Sequence, residues 1–327
     1  MKLVTGGAGF IGSAVVRALL ARGEEVRVVD DLSKGASSIP EGVEPVAGDI
    51  ADPQICARAF QDVDVCFHLA AKIGGIGYFH RYPADILDDN NGMLSRVFRT
   101  ATERGTKVVY VSSSMVFERA TEFPTPEEAL DRSPPPFSAY GFSKLVGEWY
   151  CRAFHEQFET PFAIARPFNA YGPGEHAERE PGLAHVIPDL MEKISSGRRP
   201  IPIFGDGSQS RSFTYVDDVA DAIVTIGLDP RAEGRDFNIG TGVETSVREL
   251  LDLLWRIMGE AGEPDVAPGD TLPVDVKRRA PDVTRIRSVL GWQARVGLED
   301  GLRRTAEWHQ EVRRTSSSRL VGSGDAP

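Results

Sequence analysis

Apolar and polar positions follow two rhythms along the first half of the chain. Short, nearly unbroken apolar runs ("KLVTG", "EEVRVVD", "VEPVAGD", "VDVCFHLAA", "TKVVYVSSS" and "PFAIARPFN") read as strands. Between them, helical spacing covers Gly12 to Arg22, Pro53 to Gln61, about Asp85 to Arg104 and about Tyr140 to Phe158. Strand and helix in turn predict an α/β fold, a doubly wound parallel sheet covered by helices. The segment "PTPEEALDRSPPPFSAY" is a loop, because repeated prolines remove donors and block helix.

After Asn169 the rhythm loosens into "YGPGEHAEREPG", a polar Gly/Pro-rich stretch. A helix near Val186–Ser195, a turn at "FGDGSQSR", a helical "FTYVDDVADAIVTIGL" and a strand-like "RDFNIGT" follow. The expected division is a cofactor domain over 1–170, with part of 213–240 returning to it, and a smaller α/β domain over 171–314. Residues 315–327, "TSSSRLVGSGDAP", read as a disordered tail.

In "TGGAGFIG", Gly6, Gly9 and Gly12 follow a strand and open a helix. Without Cβ atoms the backbone turns sharply and admits a pyrophosphate to the helix N-terminus, where N–H groups and the dipole favour an anion. A tight strand–helix turn alone would need the same glycines. Asp30-Asp31, ending the second strand about twenty residues on, decides for a dinucleotide. A carboxylate there accepts from ribose hydroxyls and repels a 2′-phosphate, so the expected cofactor is NAD. Asp49, ending the third strand, suits either the adenine amino group or a helix N-cap.

Charge narrows the partners. The 327 residues carry a net charge of −11, which argues against nucleic acid or an anionic membrane. No apolar run reaches the ~18 residues of a spanning helix, and the chain opens directly on a strand, so neither membrane segment nor signal peptide is expected. Cys56, Cys66 and Cys151 form no CxxC pair; Cys66 reads as a buried small hydrophobe. A reducing, cytoplasmic setting follows, with no cysteine-based metal site. Glu175, His176, Glu178 and Glu180 cluster in "GEHAEREPG", a solvated loop rather than a metal site.

A second constellation is "SSSMVF" at a strand end followed by "YGFSK", Tyr140 to Lys144. Tyr and Lys four apart share one helix face. An ammonium near a phenol lowers its pKa, so Tyr140 is expected to shuttle a proton near neutral pH. Ser113 can hold the oxygen being oxidised or reduced. By itself Y-x-x-x-K is equally a solvated helix face.

"TGGAGFIGS", "HLAA", "YVSSSMVF", "YGFSK", "ARPFNAYGPG", "RSFTYVDDVADAI" and "LGW" occur in this order across nearly the whole chain. It resembles the extended short-chain dehydrogenase/reductase family, chiefly its nucleotide-sugar epimerases, dehydratases and reductases. The resemblance implies a Rossmann-type NAD domain, a C-terminal domain for a nucleotide-diphosphate sugar, and a homodimer formed by the helices near Asp85–Arg104 and Tyr140–Phe158. It makes Ser113, Tyr140 and Lys144 the catalytic set. Phe10, Ile11, Ile50, Leu69, Ala70, Ala71 and Lys72 would join the glycines and aspartates at NAD. Ser114, Met115, Asn169, His185, Arg211 and Arg279 would meet the substrate, the arginines because guanidinium binds phosphate bidentately. A surface ion pair serves either arginine equally well.

The stretch from His68 to Asn90 is similar to the GDP-L-fucose synthases and GDP-mannose 3,5-epimerases, and His185 stands where the synthases have an acid/base histidine. His185 also fits a helix cap or a core histidine. Those enzymes carry a cysteine after the serines, and the dehydratases Asp-Glu; here stand Ser114-Met115, and a thioether neither gives nor takes a proton. What remains needs only the triad and NAD: oxidation at C4, then hydride return to the other face, giving a 4-epimerase. The alternatives are a 4-ketoreductase retaining His185, a dehydratase with another base, and a non-catalytic NAD sensor.

Overall fold

Burial on both faces is what makes the strands inside the sheet read as continuous apolar runs; the edge strand Glu44–Ala47 buries only Val46. β1 (Lys2–Thr5) leads through the glycine turn into α1 (Phe10–Leu20). There follow β2 (Val26–Asp30), β3 (Glu44–Ala47), α2 (Pro53–Ala59), β4 (Val65–His68), α3 (Pro83–Arg104), β5 (Lys107–Val111), α4 (Ala139–Phe158) and β6 (Phe162–Pro167). The computed structural model describes residues 1–33, 39–73, 81–175, 185–269 and 276–321, with side chains to 315.

The chain continues as β7 (Ala170–Tyr171), α5 (Val186–Ser195), β8 (Ile201–Phe204), β9 (Ser210–Arg211), β10 (Thr214–Tyr215), α6 (Val216–Leu228) and β11 (Asp236–Ile239). β12 (Thr245–Ser246), α7 (Val247–Ile257), β13 (Val266–Gly269), β14 (Arg278–Arg279), α8 (Thr284–Leu290) and α9 (Leu298–Val321) complete it. The main sheet has the order β11-β6-β5-β4-β1-β2-β3, and every pair is parallel. Strand order reverses between β1 and β4. In a doubly wound sheet that reversal opens a crevice at the carboxyl ends of the strands.

Each face of the sheet carries its own core. On one, Val15, Val16 and Leu19 of α1 and Val219, Ile223 and Ile226 of α6 pack with Phe67 and Val109. On the other, Val97 and Phe98 of α3 and Cys151 of α4 pack with Cys66, Tyr110 and Ile164. A third core joins α5, α7 and α9 through Leu190, Ile194, Leu250, Leu254 and Leu302. Cys56, Cys66 and Cys151 are all free and buried, and burial pushes the Cys66 thiol up.

Three features depart from the sequence reading. Ile286, Leu290 and Trp292 join the core of the sheet, although they lie far into the stretch assigned mainly to the smaller domain. α9 runs past Arg314 to Val321, where a disordered tail was expected, because extending an existing helix costs far less than nucleating one. α2 is capped by Asp52, which accepts from the N–H groups of Gln54 and Ile55, and not by Asp49. Asp49 instead closes its own turn on the Ala51 N–H at 2.8 Å.

Candidate active site

Of the residues the sequence assigned to the dinucleotide, Gly6, Asp30, Asp31, Asp49, Ile50 and Leu69 to Lys72 stand at or just beyond the carboxyl ends of β1 to β4, Phe10 to Gly12 open α1, and Tyr140 and Lys144 lie on α4. A Cβ on Gly12 would lie 2.0 Å from the Gly6 carbonyl oxygen, so only glycine lets α1 start this close to β1. Gly9 is its N-cap; no side chain caps the helix, and its first turn, Phe10 to Gly12, holds no acid. Asp30 draws the turn to the end of β2, accepting from the Ala8 N–H and the Leu32 N–H, both at 2.9 Å. Asp31 is exposed and accepts from the Ser33 N–H and hydroxyl. Burial would raise its carboxyl, but the Ser33 bonds and the charge of Lys72 outweigh this and hold it below the usual value.

After β4, Thr5 Oγ1 accepts from the Leu69 and Ala70 N–H groups, each at 3.1 Å, so both residues sit beside the glycine turn. Ala71 and Lys72 follow, and Asn90 Oδ1 on α3 accepts from the Lys72 N–H at 2.7 Å. At the outer end of the row, beyond β3, Asp49 is exposed and Ile50 buried. An uncapped helix start with no acid in its first turn suits a pyrophosphate, and carboxylates at the end of β2 suit ribose hydroxyls. The set fits NAD.

One strand further along, Ser113 caps a 3₁₀ turn, Ser114–Phe117, its Oγ accepting from the Met115 N–H at 3.2 Å. The same hydroxyl faces the Tyr140 phenol and favours its ionised form. Tyr140 and Lys144 are both buried on α4. The helix lies hard against β5, since a Cβ on Gly147 would fall 2.2 Å from the Tyr110 hydroxyl. Lys144 Nζ donates to the Val111 carbonyl at 2.9 Å and lies 5.8 Å from the Tyr140 ring centroid.

The expected lowering of the Tyr140 pKa is not what this arrangement gives. Burial pushes the phenol well above its usual value, and the Ser113 hydroxyl only partly opposes it. Burial also lowers Lys144, from 10.5 to about 8.

Met115 is buried against Tyr140 and Ile86, with Ile73 at the edge of the same cluster; Ser114 is buried beside it. Asn169, just beyond β6, has φ of 35°, a left-handed conformation that asparagine tolerates better than other side chains. Arg211 on β9 and Arg279 on β14 are direct partners in a parallel register, a pairing the sequence does not reveal. His185 stands at the N-cap of α5 but makes no side-chain cap bond. Its side chain is 55% exposed, so it is not a core histidine, and Nδ1 pairs with Glu175. His176, Glu178 and Glu180 lie outside the described residues.

Sequence reading missed three buried polar residues around the triad. Asn90 Nδ2 donates to Ser143 Oγ at 3.0 Å and ties α3 to α4. Glu148 and Arg166 form a bidentate pair, Nε and Nη2 each 2.7 Å from a carboxylate oxygen, with neither side chain exposed. The signal was present: Asn90 shares a helix face with Ile86 and Leu94, Glu148 follows Lys144 by one turn, and Arg166 interrupts the apolar "FAIARPF".

Comparison with known proteins agrees with this geometry. The model of the NAD dependent epimerase/dehydratase family matches residues 2–240. A UDP-glucose 4-epimerase of Mycolicibacterium smegmatis is 37% identical over 94% of this chain and 97% of its own length. A putative GDP-L-fucose synthase of Arabidopsis thaliana is 30% identical over 94% of this chain and 91% of its own. The solved UDP-glucose 4-epimerase of Thermotoga maritima, holding UDP-glucose, superposes with a TM-score of 0.86 at 33% identity, covering 95% of this chain and 99% of that one. Other members of this fold have been solved with NAD bound. A family match over most of the chain, relatives along nearly its whole length and a cradle shaped for the dinucleotide agree: the chain belongs to the NAD-dependent epimerase/dehydratase family, whose cofactor is NAD.

Proposed function

We propose that the chain is a nucleotide-sugar 4-epimerase working by transient oxidation at C4. The observation that carries this reading is the apolar contact of Met115 with Tyr140, next to an intact Ser113–Tyr140–Lys144 set. Acid/base work at an oxygen is provided for, and no proton acceptor stands at position 115 for work at carbon.

NAD, when bound, supplies the hydride acceptor and gives the hydride back. Tyr140 Oη takes the proton of the C4 hydroxyl as a phenolate while that carbon is oxidised, and returns it on reduction; burial alone keeps the phenol protonated, so the phenolate would form only with the charges of Lys144 and bound NAD beside it. Ser113 Oγ, which faces the phenol, holds the C4 oxygen in line with it. Lys144 sets the charge behind the pair. Arg211 and Arg279, side by side, suit the diphosphate, with Asn169 and Ser114 on the substrate's path. Turning of the 4-keto sugar between the two half-reactions inverts C4.

Likeness to UDP-glucose 4-epimerases makes UDP-glucose the first substrate to test. Tyr140→Phe should cut its conversion about 10²–10⁴-fold with NAD still bound; an unchanged rate would refute the mechanism. A 4-ketoreductase is the second reading, favoured by the His185–Glu175 pair and the fucose synthase likeness. It would consume a reduced cofactor stoichiometrically. The working unit is proposed as a homodimer through α3 and α4, where Phe142 and Trp149 stand exposed on α4, Trp149 by 64%; sedimentation tests this.

A further inference from the structure

Ser112 and Ser113 are consecutive at the end of β5 and meet the same helix in different ways. Ser113 faces the phenol of Tyr140 in the first turn of α4. Ser112 Oγ donates to Glu148 Oε1 at 2.6 Å, two turns further along α4. Ser112 is itself buried, and its N–H donates to the Ala165 carbonyl of β6 at 2.8 Å. The strand end is therefore fastened to the helix at Glu148 and, through the Val111 carbonyl, at Lys144, one turn beyond Tyr140.

Glu148 is in turn fixed. Arg166 on β6 holds it in a fork and reaches Asp236 on β11 at 2.6 Å. Asp236 binds Arg285 Nη1 at 2.6 Å, and Arg285 lies 3.6 Å from Glu127. Glu127 belongs to the loop that leads from Ser113 to Tyr140, and its Oε1 accepts from the Asn238 N–H at 2.9 Å. The chain of charges thus begins at one triad residue's neighbour and ends on the loop joining the triad's two halves. Well-packed apolar side chains would hold α4, β6 and β11 together at least as well as a buried ion pair. Stability alone does not account for the network.

We propose that Ser112 and Glu148 are positioning residues, a clamp that sets the distance between Ser113 and Tyr140. This rests on the reading of Ser113, Tyr140 and Lys144 as the hydride-transfer machinery. Neither clamp residue is assigned any contact with sugar or cofactor, so the effect belongs in kcat and not in binding.

Ser112→Ala removes one hydroxyl and leaves the Glu148–Arg166 pair intact. Its kcat should fall about tenfold, with KM, the NAD affinity by calorimetry and the thermal midpoint all close to wild type. Hydrogen exchange of the amides of residues 112–117 should speed up several-fold, with or without substrate. A kcat close to wild type, or a loss carried by NAD affinity, overturns the clamp. If the wild type converts no nucleotide sugar, the proposed reaction fails and exchange alone decides the clamp: unchanged protection of 112–117 overturns it, faster exchange supports it.

Discussion

Met115 packs against Tyr140, and Ile86 closes the cluster around them. The residue beside the proposed general acid/base is thus a wall without a proton to exchange. Met115→Leu keeps that wall at similar volume, so turnover should stay within about threefold of wild type. A coupled assay with UDP-glucose checks it. A tenfold or larger loss would mean the thioether does more than fill space.

Lys144 makes the reaction and the fold respond to pH in related ways. With its pKa near 8, the ammonium behind Tyr140 is lost as pH rises through 8, and kcat should fall there. Lys144→Met should lose that limb and most of its activity. Between about 8 and 10.5 the unfolded chain holds a proton that the folded one has released, so stability from this group rises with pH. Lys144→Met should therefore lose this rise of stability with pH above about 8. Thermal midpoints across pH measure it.

His68 acts at the acid end. It is buried, bonded to Thr5 Oγ1 at 2.8 Å, and lowered from 6.5 to about 3 by burial and then by the charge of Lys144. Below pH 6.5 the unfolded chain takes up a proton that the folded one excludes, so stability falls with pH by about 1.4 kcal/mol per unit toward pH 3. His68→Asn should flatten that part of the acid denaturation profile. An unchanged slope would show that His68 does not titrate this way.

Asp30 and Asp31 should separate in their effects. Asp30→Ala releases the Ala8 N–H as well as removing a carboxylate from β2, and should weaken NAD about tenfold to a hundredfold. Asp31→Ala leaves the glycine turn braced and should mainly relieve repulsion of a 2′-phosphate, raising NADP affinity relative to NAD. Calorimetric titration with both cofactors distinguishes them.

What the sequence made legible was local. The glycine turn, the Tyr140–Lys144 face and the Ser113 strand end each lie within a few residues, where spacing alone dictates geometry. α7 was equally legible and went unread: Ser246 and Glu249 form a reciprocal capping box ahead of an apolar face that includes Leu250 and Leu254. The rest depends on strand order. Arg211 meets Arg279 only because β14 runs beside β9, and Ser112 meets Arg166 through Glu148 only because β5, β6 and α4 converge. Lys144 turned toward Val111 because the end of β5 offers a carbonyl under α4, which no periodicity announces.

The central claim is that hydride moves at C4 while no proton moves at carbon. Purified protein would be incubated in D2O with NAD and UDP-, GDP-, dTDP- and ADP-sugars, and the products, returned to ordinary water, separated and weighed. A C4-inverted sugar of unchanged mass, without carbon-bound deuterium, is the predicted result. Loss of water, or deuterium retained on carbon, would contradict it and make His185 the first residue to replace.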